Sequence, residues 1–150
     1  MLSRRKATLL ISVSFFLLVI DRVLKSLVNR ISDVEVLIPN VLHFRLFEND
    51  RIAFSLPIEW GMWLNAVALI VIAFVVVKAY TSLKQSYFYE SALWGTVFLG
   101  ASSNMYDRLT LGFVIDYAHI PPSSFFNIAD LLIAAGVILL FFIKPKICRI

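Results

Sequence analysis

The sequence predicts an all-α integral membrane protein: four transmembrane helices, with a small extracytoplasmic β platform between the first and second. Three observations carry that expectation. Of the 150 residues, 60% are hydrophobic and only 16% are charged, with a mean hydropathy of +0.85. Soluble domains sit near ~45–50% apolar and ~25% charged, so this chain has too little polar surface to cover one aqueous core. The apolar residues gather into four long runs, and the basic residues stand at the ends of those runs.

The first run opens the chain as MLSRRKATLLISVSFFLLVID, a basic start followed by an apolar core. No small-x-small cleavage site follows, so it reads as an uncleaved first helix over about 7–28. The second helix is expected over about 60–80, the third over about 88–107 and the fourth over about 127–143. Each comes near the ~20 residues that carry a helix across the hydrocarbon.

Between the first two helices lies a polar segment, 29–59. Its stretch VEVLIPNVLHFRLFEND alternates around Leu42–Phe47, which suits short strands and a platform at the membrane face. The segment 112–126 reads as a loop, made rigid by Pro121-Pro122, and a water-excluding lid is one role open to it. The whole is a single membrane domain.

Orientation follows from lysine and arginine. Arg4, Arg5 and Lys6 precede the first helix, Lys78 and Lys84 lie between the second and third, and Lys144, Lys146 and Arg149 follow the fourth. An even number of spans puts all three groups on one side, and the positive-inside rule makes that side cytoplasmic. Both termini are then cytoplasmic and the platform faces outward. Trp60 and Trp63 fit an aromatic belt there, or ordinary helix packing. The net charge of +4 is thus a matter of topology, with no nucleic acid implied. The one cysteine, Cys148, in the basic tail, can form no internal disulfide.

Carboxylates at membrane depth cost at least ~2.5–3.5 kcal/mol each at a helix centre, so they pair, line a wet cavity or do chemistry. Asp21, Asp107, Asp116 and Asp130 fall at or just beyond the outer helix ends, all on one side in this topology. For one such residue, a polar helix end in the headgroup region is an equally good reading. For four together, with asparagines beside them, a built site is the better one. Asp21 and Lys25 are four apart and can pair on one helix face. Asn104, Asp107 and Arg108 lie within one turn, while Asn127 and Asp130 are three apart, with Asn127 where an N-cap belongs.

The remaining chemistry narrows by composition. Two histidines, His43 and His119, and one cysteine are too few for a zinc site, and no GxSxG or HExxH motif occurs. No metal and no cofactor are expected. Paired aspartates remain: two close carboxylates cannot both ionise readily, so one can serve as base while the other is an acid.

The stretch NMYDRLTLGFVIDY, followed by FFNIAD, resembles the C-terminal signature of lipoprotein signal peptidases, the signal peptidase II family. DRVLK at the end of the first helix resembles that family's Asp-x-x-Thr/Ser-Lys element, and FENDRIAFS its Asn-x-Gly-Ala-Ala-Phe element. The likeness extends over nearly the whole chain. It implies an aspartic endopeptidase of the bacterial inner membrane, with Asp116 and Asp130 as its catalytic dyad. The implied partner is a diacylglyceryl-modified prolipoprotein, cut before its lipidated cysteine, with membrane lipids around a monomeric enzyme. It also implies that Asn104, Asp107, Arg108 and Asn127 support or line the site, that Asn49 and Arg108 hold substrate backbone, and that Asp21 and Lys25 form a structural pair. The chain departs from the family pattern at Arg51 and Ser103, where glycine is usual. Leu24 stands for Thr or Ser, and Tyr117 for Phe. These mark a divergent member.

Two other classes compete. A small proton-coupled transporter also carries intramembrane acids, though more often at mid-helix. A catalytically silent relative would bind signal peptides without cutting them.

Overall fold

The computed structural model describes residues 2–30, 35–39, 41–49, 61–122 and 124–142. Arg51, Trp60 and Cys148 lie outside the described residues, as does the side chain of Trp63. The structure is mostly helical, with four helices and one small antiparallel sheet among the described residues. The helices are α1 (Leu2–Val28), α2 (Gly61–Lys84), α3 (Phe88–Leu111) and α4 (Ile128–Phe142). The strands are β1 (Glu35–Ile38), β2 (Leu42–Asn49), β3 (Val114–Ile120) and β4 (Ser124–Phe126).

Two of these helices are long and apolar enough to cross a membrane, over Arg4–Val28 and Asn65–Lys84; α4 is apolar but shorter. Their outward faces are apolar. Leu9, Phe15 and Phe16 on α1, Val67, Ile70 and Phe74 on α2, and Phe141 on α4 are all exposed. The inward face of α1 is the opposite, with small and polar side chains buried at a seven-residue spacing: Ala7, Ser14, Asp21 and then Val28. Ser14 Oγ meets Thr96 Oγ1 of α3 at 2.8 Å. Polar groups inside and apolar groups outside suit a chain solvated by hydrocarbon, where helices associate through small residues and hydrogen bonds.

Central to the bundle is α3, which packs against α1, α2 and α4. Its approach to α4 needs glycine. A Cβ at Gly100 would strike the carbonyl oxygen of Ala129, and one at Gly136 would come within 2.6 Å of Val97 Cγ2. The close approach brings the outer end of α3 beside the first turn of α4. Gly112, at φ 88° in the left-handed region, caps α3 and donates its N–H to the carbonyl of Arg108. The chain then turns directly into β3.

That turn corrects one expectation. The segment read from sequence as a loop over 112–126 forms β3 and β4, and the sheet runs in the order β1-β2-β3-β4. The platform is therefore not confined to the segment between the first two helices. Its central strand comes from beyond the third helix, because β2 offers a free edge that β3 pairs with from Asn49↔Val114 to His43↔His119. A register shift between Phe44 and Phe47 bends the pair. On one face of the sheet, Phe44, Leu46, Ile115 and Tyr117 pack with Leu24 and Val28 of α1 and Ile128 of α4. This small core fastens sheet to bundle. The helix expected over 88–107 also runs on to Leu111, and the first begins at Leu2.

Candidate active site

The site lies where β3 and the ends of α1, α3 and α4 meet. Asp116 projects from β3 opposite Phe47 of β2. Its side chain is buried, and both oxygens accept hydrogen bonds from amides: Oδ1 from Asn127 Nδ2 at 2.6 Å and Oδ2 from Asn49 Nδ2 at 2.9 Å. Burial pushes the Asp116 carboxyl up to about 6, the Asn49 bond opposes this, and the charge of Asp130 adds to it.

Asp130 stands in the first turn of α4. Its Oδ1 accepts from Asn104 Nδ2 at 2.7 Å and its Oδ2 from the backbone N–H of Asn127 at 3.2 Å. In return, the Asp130 N–H donates to Asn127 Oδ1 at 2.9 Å. This is a capping box, in which the N-cap side chain and the third helical residue satisfy each other's backbone donors. Because a backbone N–H fixes the oxygen end of the Asn127 amide, its nitrogen end must face the other way, toward Asp116. Asn127, with no exposed surface, thus touches both carboxylates, Asp116 through its side-chain amide and Asp130 through its own backbone N–H.

Behind this pair sits a buried ion cluster. Lys25 donates to Asp107 Oδ2 at 2.6 Å and to Asn104 Oδ1 at 2.9 Å, and lies 3.4 Å from Asp21 Oδ2. Three acceptors match the three N–H donors of an ammonium. Arg22 pairs with Asp107 Oδ1 and lies over the Tyr106 ring. Two cations and two carboxylates balance, which is what makes such a cluster tolerable away from water. The pairing expected between Asp21 and Lys25 is present but is the longer of the two, the closer partner of Lys25 being Asp107. Asn104 joins the cluster to the dyad, accepting from Lys25 and donating to Asp130.

Arg108 is half-buried, placed so that the charges of Asp130, Asp116 and Asp107 all act on it. Among the described residues it forms no ion pair within the 4.0 Å limit. The nine residues singled out in the sequence therefore gather in one region: Asp116, Asp130, Asn49, Asn104 and Asn127 in one hydrogen-bonded set, Asp21, Lys25 and Asp107 behind it, and Arg108 at its side. Among the described residues, no three His, Cys, Asp or Glu side chains come together to hold a metal ion.

Sequence reasoning missed three members. Arg22 stands inside the DRVLK stretch but was given no role. Its spacing of three from Lys25, which turns both toward one side of the helix, was the available signal. Ser103 and Tyr117 stood out only as departures from a pattern, yet both donate to Asp21: Ser103 Oγ to Oδ2 at 2.7 Å and Tyr117 Oη to Oδ1 at 3.0 Å. No local spacing foretells those contacts.

Comparison with known proteins identifies the family. The family model for peptidase A8, described as signal peptidase (SPase) II, matches residues 13–144. The lipoprotein signal peptidase of Lactobacillus johnsonii is 30% identical, over 93% of this chain and 94% of its own. That of Aquifex aeolicus is 31% identical, over 96% of this chain and 92% of its own. A solved structure described as a bacterial membrane enzyme superposes with a TM-score of 0.72 at 22% identity, covering 93% of this chain and 94% of that one. It shares the fold. The matched span takes in every residue of the site just described, and the chain belongs to the signal peptidase II family.

Proposed function

We propose that this chain is an aspartic endopeptidase that removes the signal peptide from diacylglyceryl-modified prolipoproteins, cutting just before the lipidated cysteine. The observation that carries the reading is the joining of the Asp116 and Asp130 carboxylates, from two different elements, by the side-chain amide and the backbone N–H of one buried asparagine. Two carboxylates held in one polar pocket share protons unequally, so at working pH one is a base and the other an acid.

The base takes a proton from water, and the water oxygen bonds to the scissile carbonyl carbon. The acid gives its proton to the carbonyl oxygen, forming a tetrahedral diol. The proton held by the first carboxylate then passes to the amide nitrogen as the C–N bond breaks, the second carboxylate recovers its proton from the diol, and the amine leaves. Arg108 and Asn49 hold the substrate backbone across the pair. No cofactor or metal takes part, and the enzyme acts as a monomer without nucleic acid.

In this reading α1 to α4 all span the bacterial inner membrane, with both termini cytoplasmic and the sheet on the outer face. The dyad then lies at the depth of an outer-leaflet acyl anchor. A water-soluble protease would have to draw acyl carbons into water at about 0.8 kcal/mol per CH₂. Membrane lipids cover the exposed apolar faces of α1 and α2. Transport fits less well: Asp116 is on a strand and Asp130 at a helix start, not at mid-span.

The test uses the purified chain in lipid with a diacylglyceryl prolipoprotein. Wild type releases the signal peptide. Asp116→Asn and Asp130→Asn each lose at least about 10²–10⁴-fold in turnover while keeping the wild-type helical content. Cleavage at the wild-type rate by either variant removes the dyad. No cleavage by wild type would identify a silent relative.

A further inference from the structure

The backbone at the start of α4 is held by three different elements. The N–H of Ile128 donates to Tyr117 Oη at 2.9 Å, that of Ala129 to Asp21 Oδ1 at 3.3 Å, and that of Asp130 to Asn127 Oδ1 at 2.9 Å. The first four N–H groups of a helix have no intrahelical partner. Here three successive ones are taken by side chains from β3, α1 and the N-cap. Tyr117 closes the arrangement, since its hydroxyl accepts from Ile128 while donating to Asp21, the same Oδ1 that accepts from Ala129.

Tyr117 follows Asp116 on β3, and Ile128 comes two residues before Asp130 on α4. The phenol oxygen is therefore a bolt between the backbone segments that carry the two carboxylates, beside the Asn127 amide that reaches Asp116 and the Ile115 carbonyl. We propose that Tyr117 is a positioning residue: its hydroxyl, anchored on Asp21, fixes the first turn of α4 against β3 and so sets the placement of Asp130 relative to Asp116. The proposal rests on the dyad reading above.

The chemistry of the phenol suits the task. Its ring is buried against Phe44, so the oxygen has little freedom to wander. Burial, and next the charge of Asp21, push its ionisation far above the ordinary tyrosine range, so it keeps the proton it donates. A hydroxyl can donate once and accept at the same time, which neither a phenylalanine nor a lysine could do here. Ser14 provides the control: its hydroxyl is likewise buried, but it meets Thr96 Oγ1 of α3 at 2.8 Å, about two helical turns before Asp21 on α1.

The experiment compares Tyr117→Phe, Ser14→Ala, Asp116→Asn and wild type, in lipid, on a diacylglyceryl lipobox peptide. Rates are taken per folded molecule, well below each unfolding transition. Tyr117→Phe should lower kcat by about tenfold, as expected when a reacting group is misplaced by a fraction of an ångström, with KM within about twofold. Ser14→Ala should lose thermal stability but keep the wild-type kcat. The proposal is overturned if Tyr117→Phe turns over at the wild-type rate, or if Ser14→Ala loses kcat equally, since the loss would then follow from any buried hydroxyl between the elements. Activity surviving in Asp116→Asn would instead sink the dyad itself, a separate failure. Should Tyr117→Phe not fold, hydrogen exchange in wild type decides: an Ile128 amide as protected as that of Asp130 upholds the bolt, and a freely exchanging one refutes it.

Discussion

Asn127 and Asp130 exchange two hydrogen bonds across the first turn of α4, the Asp130 N–H to Asn127 Oδ1 at 2.9 Å and the Asn127 N–H to Asp130 Oδ2 at 3.2 Å. The same asparagine sends its amide nitrogen to Asp116. Capping and site-building are thus two jobs of one side chain, done by its two ends.

The two jobs can be separated. Serine caps a helix as well as asparagine does but has no amide nitrogen to offer Asp116. Asn127→Ser should keep near-wild-type thermal stability and lose activity by about tenfold or more. Asn127→Ala should lose the activity and about 1 kcal/mol of stability as well. Thermal unfolding and turnover, measured on the same preparations, check both.

Activity should fall on the alkaline side. Asp116 holds its proton up to about pH 6, against an ordinary carboxylate value of 3.8. A dyad that works with one proton stops when the last is lost, so kcat/KM should decline as pH rises through an upper limb at or above about 6. Asn49 stabilises the ionised form by donating to Oδ2. Asn49→Ala should move that limb upward, and a downward or unmoved limb in the pH–rate profile would contradict the assignment.

The same shift has a consequence for stability. A carboxyl whose folded pKa is raised favours folding fully below its unfolded value and ceases to do so as pH rises through the folded one. The window is therefore 3.8 to about 6. Wild type should lose stability across it relative to Asp116→Asn, by up to about 3 kcal/mol. Unfolding midpoints of the two proteins at pH 4 and pH 7 give the comparison.

Lys25 is 1% exposed and has two carboxylates and an amide oxygen around it. Removing the ammonium leaves Asp21 and Asp107 undercompensated, with only Arg22 remaining. Lys25→Met should cost about 3–5 kcal/mol, seen as a lowered unfolding temperature and poor accumulation in the membrane.

Gly100 and Gly95 should respond differently to alanine. At Gly100 the new methyl meets the backbone oxygen of Ala129, which cannot yield without moving the turn that bears Asp130. Gly100→Ala should cost about 1–3 kcal/mol and most of the activity. At Gly95 the methyl meets only the tip of Ile11, at 2.9 Å, and that side chain can rotate away. Gly95→Ala should be nearly silent in both assays.

Much of this was legible in the chain. The four helices announce themselves as apolar runs, because hydrocarbon-facing residues need no alternation to mark them. The acids stand out because a carboxylate at membrane depth needs a reason. The strands of the 112–126 segment were not legible. VIDYAHI alternates too weakly to distinguish strand from loop, and its pairing partner β2 lies far earlier in the chain, with Asn49 opposite Val114 and His43 opposite His119 and two helices between. The links from Tyr117 and Ser103 to Asp21 span 96 and 82 residues, so only the folded packing of α1 on α3 and β3 creates them.

The buried stripe on α1, Ala7, Ser14, Asp21 and Val28, makes that helix a ruler as well as a wall. Each residue turns the helix by about 100°, so adding or deleting a single one between Ser14 and Asp21 would swing everything beyond it around the axis. Asp21, Arg22 and Lys25 would then turn away from α3, and the ion cluster would lose three of its four charged members at one stroke. Side chains on the exposed apolar surface of α1 can drift freely among apolar types, but the count of residues along it cannot change by one.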